Sequence, residues 1–305
     1  MKRYLGRRFV QALLVLWGVS LVVFLILHLT GDPTLLLLPP DATAEDIAKF
    51  RKLMGFDDPL AVQYGRFMTG LLQGNFGNSL RHEEPALSLV VERMPATVKL
   101  TLLAMALSVC VAVPAGIISA VRRGSAADQA GMIFALLGQS MPVYWLGIML
   151  ILLFAVRLHW FPAFGTGGFK HLVLPAITLG MFTMARIARL TRSGMLEIMG
   201  QEYIRTARAK GVIERLVIVK HALRNAAIPV ITVIGLDLGT LLGGAVITET
   251  VFAWPGVGRL AVQAIYNRDY PVVQAAVFVL ASIFVLINFL VDVLYTWLDP
   301  RVSYQ

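Results

Sequence analysis

Several stretches of about twenty residues or more carry almost no charge, and that feature decides what this chain can fold into. Phe9 to Leu29, Thr97 to Val121 and Gly131 to Val156 are the clearest, with others near Leu172, from Ala226 to Val246 and from Val272 to Leu294. A helix needs about 20 apolar residues to cross the hydrocarbon of a bilayer. Inside that layer only helices or closed barrels satisfy every backbone N–H and C=O. With 57% hydrophobic and 15% charged residues and a mean hydropathy of +0.74, the chain is more apolar than a water-soluble core requires. The expectation is an all-α polytopic membrane protein crossing about six times.

The net charge of +9 lies beside the apolar runs rather than on a separate soluble surface, which disfavours nucleic acid as a partner. Lys2, Arg3, Arg7 and Arg8 precede the first run, Arg122-Arg123 closes the second, and the segment 186–224 carries nine basic against three acidic residues. A six-span topology places all three clusters, and both termini, in the cytoplasm. The first run is too long for a signal-peptide core and is read as a retained helix. Cys110, the one cysteine, lies in an apolar run, so neither a disulfide framework nor a thiolate metal site is expected.

The boundaries read as 1–30 for the basic segment and first helix, 31–95 for a helical extracytoplasmic insertion, and 96–305 for the core bundle. The break at Gly31-Asp32-Pro33 opens the insertion. Within it, Thr43 and Asp46 form a capping-box pattern ahead of Ile47, Phe50, Leu53 and Met54, with Gly55 as the stop. Asp58 is expected to cap a second helix with Pro59 at its first position and Tyr64, Phe67, Met68, Leu71 and Leu72 as its stripe. Pro95-Ala96-Thr97 opens the second span, Pro142 interrupts the third, and Pro175 kinks the fourth.

Asp237 stands inside the fifth run, where an acid costs roughly 2.5–3.5 kcal/mol on insertion scales. It either lines a translocation path, meeting a cationic group of a solute, or packs by hydrogen bonding to Thr240 or Asn288. Gly235, Gly239, Gly243 and Gly244 on the same helix suggest close helix packing. Arg186, Arg189 and Arg192 are read as snorkelling toward phospholipid, with a gate contact as the alternative. No catalytic constellation is present: the chain has no Gly-x-x-x-x-Gly-Lys-Ser/Thr phosphate loop, and its five histidines are dispersed without metal-ligand spacing.

Glu202-Tyr203-Ile204-Arg205-Thr206-Ala207-Arg208-Ala209-Lys210-Gly211, followed by His221 to Pro229, resembles the cytoplasmic signature of bacterial ABC importer permeases of the peptide and nickel branch. Arg205-Thr206-Ala207 stands where the generic Glu-Ala-Ala triplet would, and Pro229 falls eighteen residues after Gly211. The blocks Gly239 to Ala245, Glu249 to Arg259 and Arg268 to Gln274, with Gly31-Asp32-Pro33 and Asp299-Pro300-Arg301, extend the resemblance over nearly the whole chain. It implies an inner-membrane permease subunit that is not itself an enzyme, binds no cofactor, and moves small peptides inward by alternating access. Its implied partners are two ATPase subunits carrying ATP and Mg, a second related permease in a heterodimer, an extracytoplasmic substrate-binding protein and the bilayer. Glu202, Arg205, Thr206, Ala207, Arg208, Ala209, Lys210 and Gly211, within 196–224, would couple the permease to the ATPase. Nickel remains the alternative cargo, and an ion-coupled secondary carrier is the alternative of another class. An intramembrane protease lacks its paired nucleophile and base.

Overall fold

The computed structural model describes residues 2–29, 34, 38 and 42–298; Gly31-Asp32-Pro33 and Asp299-Pro300-Arg301 lie outside them. The chain is all-α: α1 (Lys2–Leu29), α2 (Ala44–Met54), α3 (Leu60–Leu72), α4 (Ala86–Val121), α5 (Ala126–Ser140) and α6 (Val143–Leu150) come first. They are followed by α7 (Lys170–Met199), α8 (Glu202–Ala209), the single turn α9 (Glu214–Leu216), α10 (Arg224–Val251), α11 (Val257–Tyr266) and α12 (Tyr270–Leu298). The π-helical segments Ile151–Arg157 and Val217–Leu223 continue α6 and lead into α10. Among the described residues five helical segments are long and apolar enough to cross a membrane, and α5 with α6 makes a sixth when taken as one broken span.

That third span departs furthest from a simple helix. Pro142 has no N–H to donate and forces its predecessor out of the helical region, so Met141 is extended and the two halves meet at 111°. Other boundaries also differ from the sequence expectation. The second span begins at Ala86, not near Thr97, and runs through Pro95 without a break. A proline inside a membrane helix is tolerated where neighbouring groups take up the freed carbonyl. The fourth helix continues to Met199, so Arg186, Arg189 and Arg192 lie well inside it rather than at its inner end. α11 is an element that hydropathy and capping patterns did not reveal.

The helices group into two compact units. One takes Met1–Thr97 with Pro255–Phe289, and its core joins Leu27, Phe76, Val90, Val257, Tyr270 and Val273. α3 lies along α1: the Phe24 ring meets Tyr64 edge-on at 5.2 Å, Ser20 Oγ is 3.0 Å from the Tyr64 hydroxyl, and His28 Nε2 is 3.0 Å from Gln63 Oε1. The expected stripe of Tyr64 and Phe67 is the packed one, whereas Leu72 is exposed. The Thr43–Asp46 capping box and the left-handed Gly55 both form. Asp58 does not cap; Pro59 occupies that position, and the Asp58 carboxylate instead accepts from Arg66 at 2.7 Å, a charged partner two turns along.

Asp269, which stands in the sequence only as part of a family block, ties this unit together. Its buried carboxylate accepts from the Ser79 hydroxyl and from Leu80 N–H, while Ser79 Oγ accepts from His82 N–H. The turn 77–86 is thereby fastened beside α11. Asp269→Ala is expected to cost about 1–3 kcal/mol, the penalty of leaving a buried donor unmet, and faster proteolysis within 75–85 in the intact protein checks it.

The second unit takes Val98–Trp254 with the end of α12. α7 is its central helix, with 67% of its apolar window buried against 33% or less in the other candidate spans. Its close approach to α4 depends on two glycines that no spacing pattern singles out. A Cβ at Gly180 would lie 2.8 Å from Ala104 O, and one at Gly116 would lie 2.7 Å from Ala188 O. Ser108 Oγ sits in the same seam and donates to Ala104 O and Gly180 O. The α10 glycines behave less uniformly than their spacing suggests: Gly239 is buried and Gly235 packs against Val291, but Gly244 has only ordinary room and Gly243 faces open space.

Candidate functional site

α8 is amphipathic in a narrow sense: one residue anchors it and nearly all the others are offered outward. Ile204 is fully buried with Met195, Val217, Ala222 and Ala226, and Ala207 packs half-buried beside it one turn on. Glu202, Tyr203, Arg205, Thr206, Arg208, Ala209, Lys210 and Gly211 are exposed. The helix ends as its sequence demands. Gly211 is left-handed at φ +76, its N–H donates to Arg208 O, and Val212 N–H donates to Ala207 O. This pair of bonds is the Schellman termination that glycine favours. Gly211→Ala is expected to cost about 1–2 kcal/mol through its positive φ, read as a lower unfolding midpoint in detergent.

The charges of this knob are largely spent within it. Arg208 donates twice to Glu214 (2.7 and 3.1 Å), bridging the turn from α8 to α9, and Arg205 donates to Glu202 at 2.8 Å. The Glu214 carboxylate raises the Arg208 guanidinium above its ordinary pKa. Within this chain Arg205 and Arg208 are paired, and the pairs stiffen the knob, although exposed pairs contribute only about 0–1 kcal/mol. Lys210 stays exposed. Beyond the turn, Ile213, Leu216 and Val219 recur every three residues as exposed apolar side chains, a feature that a charge-led reading misses.

The second assembly lies in mid-span. Asp237, thirteen residues into α10, has a side chain only 2% exposed, and its Oδ1 accepts from Arg186 Nη1 at 2.7 Å. Arg186 is sixteen residues into α7, and its side chain is 41% exposed. Neither expected packing partner is used by the carboxylate: Thr240 Oγ1 donates to the Asp237 backbone carbonyl, and Asn288 to Phe284 O. An unpaired acid in hydrocarbon is expensive, so the nearest guanidinium takes it. One turn and a half further, Arg192 donates in fork geometry to Asp128 (2.7 and 2.9 Å). Asp128 also accepts from Gly124 N–H, which fastens the Arg122-Arg123-Gly124 turn to α7. Arg186 and Arg192 are thus interhelical partners, not snorkelling anchors.

Residues 112–304 match the family described as Binding-protein-dependent transport system inner membrane component. Residues 1–101 match Binding-prot-dependent transport system membrane comp, N-term. Over 100% of both chains, the sequence is 44% identical to the Dipeptide transport system permease protein DppB of Alkalihalophilus pseudofirmus. It is 42% identical, again over 100% of both, to the Glutathione transport system permease protein GsiC of Escherichia coli (strain K12). Among solved structures, the inward-facing MetNI methionine ABC transporter matches with a TM-score of 0.57 at 24% identity, over 69% of this chain and 96% of that one. That likeness concerns the fold alone. With both parts of the chain matched and the relatives aligned end to end, this chain belongs to the family of inner-membrane permease components of binding-protein-dependent, ABC-type transport systems.

Proposed function

We propose that this permease carries small peptides inward, driven by ATP hydrolysis on separate ATPase subunits that bind ATP and Mg. The observation that carries the reading is the α8 knob: a short helix rooted by Ile204 alone, closed by Gly211, and exposed over Glu202 to Lys210. Such a helix suits docking in a groove of a moving partner, because its one anchor transmits displacement directly to α7 and α10. Ile213, Leu216 and Val219 add apolar area beside it of the kind that stable interfaces bury. The dipeptide and glutathione relatives supply the substrate class.

In this arrangement the knob, the Arg122-Arg123 turn and both termini face the cytoplasm, following the placement of basic residues. α2 and α3 then stand on the outer side, where a substrate-binding protein delivers cargo. A second, related permease completes the path, and the two bundles rock between outward and inward openings. The test is to tag this chain, purify it gently from its native membrane, and identify its companions by mass spectrometry. Recovery of ATPase subunits and a second permease, with dipeptide uptake that stops without ATP, is the expected result. A chain recovered alone and transporting without ATP would be a secondary carrier and would overturn the proposal.

A further inference from the structure

The open face of α7 is polar where the helix is otherwise most enclosed. Past Lys170 its exposed positions are Phe182, Ser193 and Glu197, and Arg186 and Arg189 lie half-buried between them at three- and four-residue spacing. Past Gln11 the exposed residues of α1 are instead apolar, among them Leu13, Leu14, Trp17 and Val22, as lipid contact requires. A stripe with two guanidinium groups and a carboxylate cannot face acyl chains; it faces water or protein. In a permease, water at mid-span is the transport path.

Within that stripe Arg186 is the residue held in place. Asp237 bonds it through a single contact, Nη1 to Oδ1, so one of the guanidinium's five N–H donors is used. Asp237 Oδ2 is buried and lacks a hydrogen-bond partner among the described residues, so the pair is not the two-pronged fork that would consume the guanidinium. Asp237 itself is too enclosed to meet a solute. The group offered outward at mid-span is therefore a cation on a buried acidic support, the reverse of what the acid alone suggested.

We infer that Arg186 is a specificity-determining residue of the transport path, binding the carboxylate of a passing peptide, with Asp237 as its positioning residue. The inference rests on the peptide reading above and sharpens it. A free carboxylate matches the planar donor edge of a guanidinium, whereas a bare divalent cation is repelled by it. The site thus selects against nickel as cargo.

The test uses the complete transporter in proteoliposomes, with its binding protein, and two probes: the dipeptide alanyl-alanine and its C-terminal amide. Initial ATP-dependent uptake of each is normalised to the binding protein's measured occupancy. The paired variant Arg186→Gln with Asp237→Asn removes both charges together and keeps a hydrogen-bonding pair across the helices. It is expected to assemble and to lose about tenfold or more in uptake of the free acid relative to the amide. A purely structural pair would be restored by this neutral exchange, so an unchanged acid-to-amide ratio overturns the inference. Should that variant fail to assemble with its partners, Arg186→Lys decides. It keeps the charge on Asp237 but cannot present the planar fork, and is expected to lower the ratio severalfold. An unchanged ratio there overturns the inference as well. A wild-type complex that moves neither probe with ATP overturns the peptide-importer reading instead, so the two failures are distinguishable.

Discussion

Ile204→Asp is expected to abolish coupled transport while leaving the membrane spans folded. Ile204 is fully buried, and it is the one buried residue of α8. Truncating such a residue to alanine already costs about 2–5 kcal/mol. An aspartate adds the desolvation of a charge among Met195, Val217, Ala222 and Ala226, which offer it no partner. An eight-residue helix has little stability of its own in water, so α8 would detach from its seat. The expected readout is loss of ATP-dependent uptake and rapid proteolysis confined to residues 200–216, with spans still protected. The whole chain becoming protease-sensitive would mean that Ile204 supports the bundle rather than the knob. Full uptake would mean that α8 transmits nothing.

The second large effect is an asymmetry. Removing either member of the Arg186–Asp237 pair breaks the same 2.7 Å bond, yet the losses should differ. Arg186→Ala leaves a carboxylate 2% exposed with no counter-ion and is expected to cost about 3–5 kcal/mol. Asp237→Ala leaves a guanidinium that is 41% exposed and can turn to water, so the loss should be nearer about 1–2 kcal/mol. Unfolding midpoints of the two variants in one detergent give the order directly. Equal losses, or a larger loss for Asp237→Ala, would mean that the guanidinium is sealed from water in the assembled protein. Arg192→Ala should resemble Arg186→Ala in direction, since it leaves the buried Asp128 beside the α4–α5 turn without its paired guanidinium.

Much of the knob is legible in its residues alone. Gly211 permits a sharp turn, whether a left-handed cap or a tight bend, and the structure takes the first, with Val212 N–H supplying the second bond. The fates of Arg205 and Arg208 are not legible in that way. Whether a surface cation pairs within its own helix or waits for another protein depends on where Glu202 and Glu214 fold back to, and sequence spacing does not say. Ile213, Leu216 and Val219 escape notice because a reading led by charge treats apolar residues near a membrane segment as part of it.

The sequence by itself determined that this is a helical membrane protein with an interrupted third span and two short helices, the first of them capped by Thr43. Those properties are local: the length of an apolar run, a proline's missing N–H and a threonine three residues before an aspartate act on their own neighbourhoods. Only the tertiary structure decided the partners of the charged residues. Asp237 lies fifty-one positions from Arg186, and Asp269 lies one hundred and ninety from Ser79. An acid buried among apolar helices must find a donor, but which one depends on how the helices are packed. That packing is set by shape, by Gly180 and Gly116 admitting a neighbouring backbone where Gly243 admits none, and no period in the sequence separates these glycines.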